Sequence, residues 1–199
     1  MARIPPRGLW SGHGLPTLAV WEAWLGRPFQ AGSSPDKMVM RYLAAFGPSA
    51  VADIQSWSGM VKVREVTERL RPRLRTFRDE KGRELLDVRR GLLPDPETEA
   101  PPRFLPDFDN ALLAHDDRSR ILAPEHRQLV GRPTVLLDGF AVGFWKVTRE
   151  GSRATLTVET LVRVSKKDKA AVLDEGAGLL EFVAEDAQSR DVRFAKPRN

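Results

Sequence analysis

Apolar positions keep a helical period through one stretch of the chain and alternate in others, and the changes mark its elements. Ser34 and Pro35 fit an N-cap and a first helical residue, and Met38, Val39, Tyr42, Leu43 and Phe46 follow at helical spacing until Gly47-Pro48. Ser49 is expected to cap a second, short helix from Ala50 to about Ser58 with Val51, Ile54 and Trp57 inward, and Gly59 suits its left-handed end. A third helix is predicted from about Val61 to Arg71, with Val63, Val66, Thr67 and Leu70 on one face and Pro72 as its stop.

After Pro72 the period becomes two. Arg73 to Arg78 reads as a strand, Asp79 to Gly82 as a turn and Arg83 to Val88 as the returning strand. Three helices followed by a charged hairpin make a winged helix-turn-helix, in which the third helix enters the major groove and the hairpin lies along the backbone or minor groove.

The flanks differ in character. Residues 1–32 are rich in Pro, Gly and Trp, and Thr17 to Leu25 suits a strand or short helix packing Trp21 and Trp24, with Gly26, Pro28 and Gly32 as breakers. Residues 91–103 hold Pro94, Pro96, Pro101 and Pro102, too many for a helix or central strand, and read as a linker. Beyond it, strands are expected over Thr134 to Leu137, Phe140 to Val147 and Arg153 to Val164, with Asp138-Gly139 a strong hairpin signal and Phe140, Val142, Phe144 and Trp145 as core candidates. Ser165 caps an amphipathic helix from Lys166 to Val183, whose apolar positions include Leu179, Leu180 and Phe182, and Val192 to Ala195 adds a last strand. The predicted class is α+β: a winged helix-turn-helix over 33–90, a linker over 91–103 and a β-rich domain with a C-terminal helix over 104–199, after an N-terminal segment packing on the core.

Composition narrows the chemistry. The 199 residues, 41% hydrophobic and 30% charged, contain no apolar run of the length a membrane span needs, and Met1 to Gly14 lacks the continuous apolar centre of a secretory signal. The expected location is cytoplasmic. No cysteine is present, which excludes disulfides, thiolate metal sites and cysteine nucleophiles, and three histidines (His13, His115, His126) leave little for a metal site. No phosphate-binding glycine loop, nucleophile elbow or zincin motif occurs, so neither cofactor nor metal is expected.

Charge carries the most information. The net charge is +5, and Lys62 to Arg83 alone holds nine basic and four acidic residues, so the rest of the chain cancels. The excess falls on the third helix and hairpin, the two elements that would touch DNA, and the candidate phosphate contacts are Lys62, Arg64, Arg69, Arg73, Arg75, Arg78, Lys81 and Arg83. Downstream, Asp107, Asp109, Asp116 and Asp117 lie within eleven residues, a spacing that suits paired acid/base carboxylates. The simpler expectation is that Asp109 or Asn110 caps a short helix, that the later aspartates pair with Arg118 and Arg120, and that His115 is structural rather than a metal ligand.

Several of these runs resemble one family. Arg41-Tyr42-Leu43-Ala44-Ala45-Phe46-Gly47-Pro48 leading into Asp53-Ile54-Gln55-Ser56-Trp57-Ser58-Gly59, Leu105 to Asn110 through Asp117-Arg118-Ser119-Arg120, Val135 to Phe140, and the opening Ile4 to Trp10 are similar in kind and order to the bacterial AlkZ-like winged-helix DNA-binding proteins. The resemblance implies tandem winged helices, a C-terminal β-barrel-like domain and a link to the excision of alkylated or crosslinked bases. It also implies a catalytic Gln-x-Gln or Gln-x-Asp pair in the N-terminal half. Here Gln30, Gln55, Gln128 and Gln188 are followed two positions on by Gly32, Trp57, Val130 and Arg190, so the chain is expected to match a C-terminal half and not to be a glycosylase on its own.

Three readings follow: a repair-related protein binding duplex DNA, a DNA glycosylase in which carboxylates near Asp107 replace that motif, and a protein-interaction module dimerising through Trp10, Trp21 or Trp24.

Overall fold

A computed structural model describes residues 1–5, 15–28 and 34–195; His13, Gln30, Gly32, Ser33 and the Pro6 to Trp10 part of the opening run lie outside the described residues. The chain divides into two compact units, Met1–Met38 and Val39–Asn199. In the first, β1 (Ala2–Ile4) pairs antiparallel with β2 (Thr17–Ala19), and α1 (Trp21–Leu25) ends on the left-handed Gly26. Thr17 to Leu25 is therefore strand and then helix. Within this short helix Trp21 and Trp24 are 39% and 52% exposed.

The second unit begins within α2 (Pro35–Phe46). The Ser34 hydroxyl accepts the Asp36 N–H at 3.2 Å, and Gly47 ends the helix at φ 73°. Tyr42 and Leu43 are fully buried, and the Tyr42 ring centroid lies 5.0 Å from Phe46 and 5.1 Å from Trp57. In α3 (Val51–Ser58) the cap is Ala50 rather than Ser49, and the Asp53 carboxylate closes it by accepting the Ala50 N–H at 2.8 Å. Ser49 is instead buried and exchanges both backbone hydrogen bonds with Leu86, which ties the α2–α3 turn to the hairpin. Trp57 is not wholly inward, although its ring meets Tyr42 and Phe46 and its N–H donates to Asn110 Oδ1 at 3.0 Å.

Lys62, at φ 61°, opens α4 (Val63–Leu70). The buried face is Val63, Val66, Thr67 and Leu70, as the helical period requires. A 3-10 turn over Arg71–Arg73 leads into β3 (Leu74–Arg78), which pairs antiparallel with β4 (Glu84–Val88), Arg75 opposite Asp87 and Arg78 opposite Glu84.

Residues 91–102 form neither helix nor strand. The sheet that follows has the order β5 (Arg103–Leu105), β6 (Thr134–Leu137), β7 (Phe140–Glu150), β8 (Arg153–Thr160), β9 (Ser189–Phe194). Before β6 come α5 (Asn110–Leu113), capped by the Asp109 carboxylate, and a 3-10 stretch over Pro124–Leu129. β5 to β8 are antiparallel, and α6 (Lys166–Val183) carries the crossover that lets β9 lie parallel to β8.

No closed barrel forms among the described residues; β5 and β9 are free edges. Leu156, Val158, Val172 and Leu180 are the centre of the core between sheet and α6. Leu112, Leu122, Leu129, Leu136 and Ala141 form a second cluster. Two expected core positions fall outside both: Phe140 follows the tight Asp138-Gly139 turn at the hairpin end and is 53% exposed, and Phe182 on the outer side of α6 is 75% exposed. Among the described residues no helix is long and apolar enough to cross a membrane.

Two glycines test this packing. Gly143 sits where β7 shifts register, and a Cβ there would run into the Glu159 carbonyl and lie 2.8 Å from Thr160 Cα, whereas a Cβ on Gly178 meets nothing within 4 Å. Gly143→Ala is expected to cost about 1–3 kcal/mol, and Gly178→Ala to add roughly 0.5–1 kcal/mol, both read by denaturant unfolding.

Candidate nucleic-acid interface

The basic residues of α4 and the hairpin are not equally available. Arg75 is committed to the fold: its guanidinium donates to Asp87 Oδ2 at 2.7 Å and to the Gly91 carbonyl at 2.9 Å, and Asp87 is wholly buried. The adjacent Arg71, which sequence reading did not single out, donates to Glu68 at 2.8 Å and Glu84 at 3.0 Å and so ties α4 to β4. Arg83 donates to Asp79 at 2.6 Å, and Arg78 reaches the Gly82 carbonyl at 2.9 Å. Lys62 stands 3.9 Å from Glu65, with both side chains largely exposed. Arg69 is on the exposed part of α4, and the exposed side chains of Arg64 and Arg73 make no hydrogen bond or ion pair among the described residues. The candidates thus separate into outward cations (Lys62, Arg64, Arg73, Arg78), a buried-pair member (Arg75) and a tip pair (Lys81, Arg83), with Arg69 on the exposed part of α4.

That tip meets the segment that follows α5. Lys81 Nζ lies 3.1 Å and an Arg83 guanidinium nitrogen 2.9 Å from Asp117 Oδ2. The expected pairing of the aspartates with Arg118 and Arg120 is therefore replaced: Arg118 donates to the Leu112 carbonyl at 2.7 Å, and Arg120 lies 3.0 Å from the His115 ring nitrogens. Asp53 anchors the same segment from α3, accepting the Asp116 N–H at 2.9 Å with His115 Nδ1 at 3.7 Å from its other oxygen. Burial works to raise the Asp53 pKa, but the nearby His115 imidazole and hydrogen bonds from the Ala50 and Asp116 amides outweigh it and hold the carboxyl below its usual value. Burial pushes the nearby Tyr42 phenol up to about 12, and its hydroxyl donates to the Ala114 carbonyl at 2.5 Å.

Between the hairpin tip and residues 117–120 lies a groove of about 540 Å³, with Arg78, Arg120 and the exposed ring of Phe140 on its walls and Asp53 in its lining. Its cations and carboxylates balance in number, unlike the excess of basic residues counted over Lys62 to Arg83. The other carboxylates singled out in the sequence do not converge: Asp109 accepts the Ala111 N–H at 2.7 Å as a helix cap, and Asp107 is exposed. Among the described residues no group of three or more His, Asp or Glu side chains is placed to hold a metal ion.

An arrangement of three helices and an antiparallel hairpin, presenting cations at its helix and turn and packed on a sheet with one crossover helix, has a known counterpart. The chain belongs to the family described as DNA glycosylase AlkZ-like, whose model matches residues 1–182. No curated protein matches. Among solved structures, the DNA glycosylase AlkZ of Streptomyces sahachiroi is similar in fold, with a TM-score of 0.68 and 23% identity over 87% of this chain, and the chain spans 50% of that structure.

Two measurements check the assignments within this cluster. Arg75→Met leaves Asp87 buried without its partner and is expected to lower stability by about 2–3 kcal/mol, whereas Arg78→Met is expected to change it by no more than about 0.5 kcal/mol. Because Asp53 titrates lower in the folded chain than in the unfolded one, its contribution is complete above about pH 5 and lost as pH falls through the acid range. Asp53→Asn is expected to be less stable at neutral pH and to show a shallower decline below about pH 4 in urea titrations.

Proposed function

We propose that this protein binds duplex DNA through a winged helix-turn-helix, with α3 and α4 as the helix-turn-helix, α4 facing the major groove and the β3–β4 hairpin as the wing along the backbone. In this reading residues 33–90 are the DNA-reading module, and residues 104–199 buttress it across the 91–103 linker. Membership of a family described by DNA glycosylase activity supports a DNA ligand and a role tied to repair. The observation that carries the reading is the placement of Lys62, Arg64, Arg73 and Arg78 as exposed cations on α4, the turn after it and the hairpin, while the apolar face of α4 is buried. Contacts of that kind go to phosphate and confer little sequence preference.

The family's description makes base excision the second reading. Its test is base release from an alkylated duplex at high enzyme excess, where no release removes it.

Binding is measured by fluorescence anisotropy with a labelled duplex of about 20 base pairs over a range of salt. Affinity is expected to fall steeply with salt, and Arg64→Gln and Arg73→Gln each to weaken every sequence alike and to reduce the log–log slope by about 0.9. Salt-independent binding, or none at low salt, overturns the reading and moves the weight to a protein partner.

A further inference from the structure

The hairpin tip holds an oxyanion already. Lys81 and Arg83 converge on Oδ2 of Asp117, a residue 36 positions further along the chain than Lys81. Oδ1 accepts the Ser119 N–H at 3.0 Å, and hydrogen bonds from Ser119, with Lys81 next, keep the carboxyl well below the usual carboxylate range. Two cations converging on one oxyanion form the donor set with which DNA-binding proteins hold a backbone phosphate.

The pairings of the other basic side chains here are different in kind. Arg71 and Arg75 bond to carboxylates within the helices and hairpin themselves, so releasing them dismantles the module. Asp117 belongs to the segment beyond the 91–103 stretch, and the hairpin keeps its own turn without it: Asp79 accepts the Lys81 and Arg83 backbone N–H groups at 2.9 and 2.8 Å and the Arg83 side chain through Nε. Arg83 therefore stays aimed when Asp117 leaves. The pair is also cheap to open, since the Lys81, Arg83 and Asp117 side chains are 66%, 44% and 23% exposed.

We propose that Asp117 stands in for a DNA phosphate at Lys81 and Arg83, so that the hairpin tip is a phosphate site closed by an internal competitor that the duplex displaces on binding. The proposal rests on the DNA-binding reading above. It makes Asp117 a brake on affinity rather than a support of the interface. Phosphate outcompetes the carboxylate at low salt because binding the duplex releases condensed counterions, which an exposed ion pair within one chain does not.

The experiment uses the full chain and the 20-base-pair duplex at low salt. Asp117→Asn, and independently Asp117→Ala, is expected to tighten binding about fivefold. Asp116→Asn, which removes a neighbouring carboxylate that touches no hairpin cation, is expected to gain less than about twofold. In a Lys81→Met/Arg83→Met background the gain from Asp117→Asn is expected to vanish, and that background alone to reduce the salt slope by up to about 1.8. A second readout needs no DNA: because Asp79 holds the Lys81 and Arg83 amides, backbone amides 80–83 are expected to exchange hydrogen no faster in Asp117→Asn than in the parent, and faster exchange there overturns the proposal.

Unchanged or weakened binding in the Asp117 variants, an equal gain from Asp116→Asn, or a gain that survives loss of Lys81 and Arg83 overturns the proposal. If no variant binds DNA, the DNA reading itself has failed and the proposal falls with it; faster exchange at 80–83 would then identify Asp117 as a structural tie alone.

Discussion

One buried carboxylate sets the relation between the helices and the β-rich part of the second unit. Asp53 is 5% exposed, and a charge so placed is tolerated only when its oxygens are satisfied. It accepts from Ala50 and Asp116 and faces His115, so the group that caps α3 also fixes the segment after α5. From that point the geometry propagates. The Tyr42 hydroxyl reaches Ala114, Trp57 reaches Asn110, and Asp117 arrives beside the hairpin tip. Loss of Asp53 would therefore unmake more than a helix cap, because the same atoms position the partner of Lys81 and Arg83.

Counting charges along the chain overstates the positive field of the hairpin. Antiparallel register places Arg75 opposite Asp87 and Arg78 opposite Glu84, and Arg71 spans Glu68 and Glu84. Acidic and basic side chains that alternate along a strand in sequence become cross-strand neighbours in a ladder, where opposite charges stabilise the pair. Arg75 is the clearest case: it is basic in composition, yet its role is to neutralise a carboxylate with no access to water. The cations left outward lie mainly on α4 and the turn after it.

Local periodicity made the helices, the hairpin and the β6–β8 meander legible in the sequence. The buried face of α4, the Ser34 and Ser165 caps and the Asp138-Gly139 turn follow from spacing and residue type within a few positions of each other. β5 is not expected from the sequence, with Arg103 in the linker and Phe104 and Leu105 at the start of the β-rich domain, because three residues carry no period, and β9 starts at Ser189 because an edge strand can be polar on its outward side. Phe140 and Phe182 obey the period of their elements but sit where no opposing layer covers them, which depends on the edges of the fold. The pairing of Asp117 with Lys81 and Arg83 joins residues more than thirty positions apart, and composition alone favoured its nearer arginines.

Carboxylates on a surface meant for phosphate have a physical use under the proposed reading. A protein facing an excess of ordinary duplex gains nothing from raw affinity, since the number of competing sites makes the ratio of specific to non-specific binding the controlling quantity. Each cation held by a carboxylate in the free state lowers affinity for every duplex alike. Interactions made only with the correct DNA geometry are untouched by that cost. An acidic residue placed on a separate segment, as Asp117 is, does this without weakening the hairpin's own turn, because the Asp79 hydrogen bonds preserve the turn whichever oxyanion occupies the tip. Balancing the charge at the tip and leaving Arg64 and Arg73 outward would shift the weight of recognition from the hairpin toward α4, the element proposed to face the major groove.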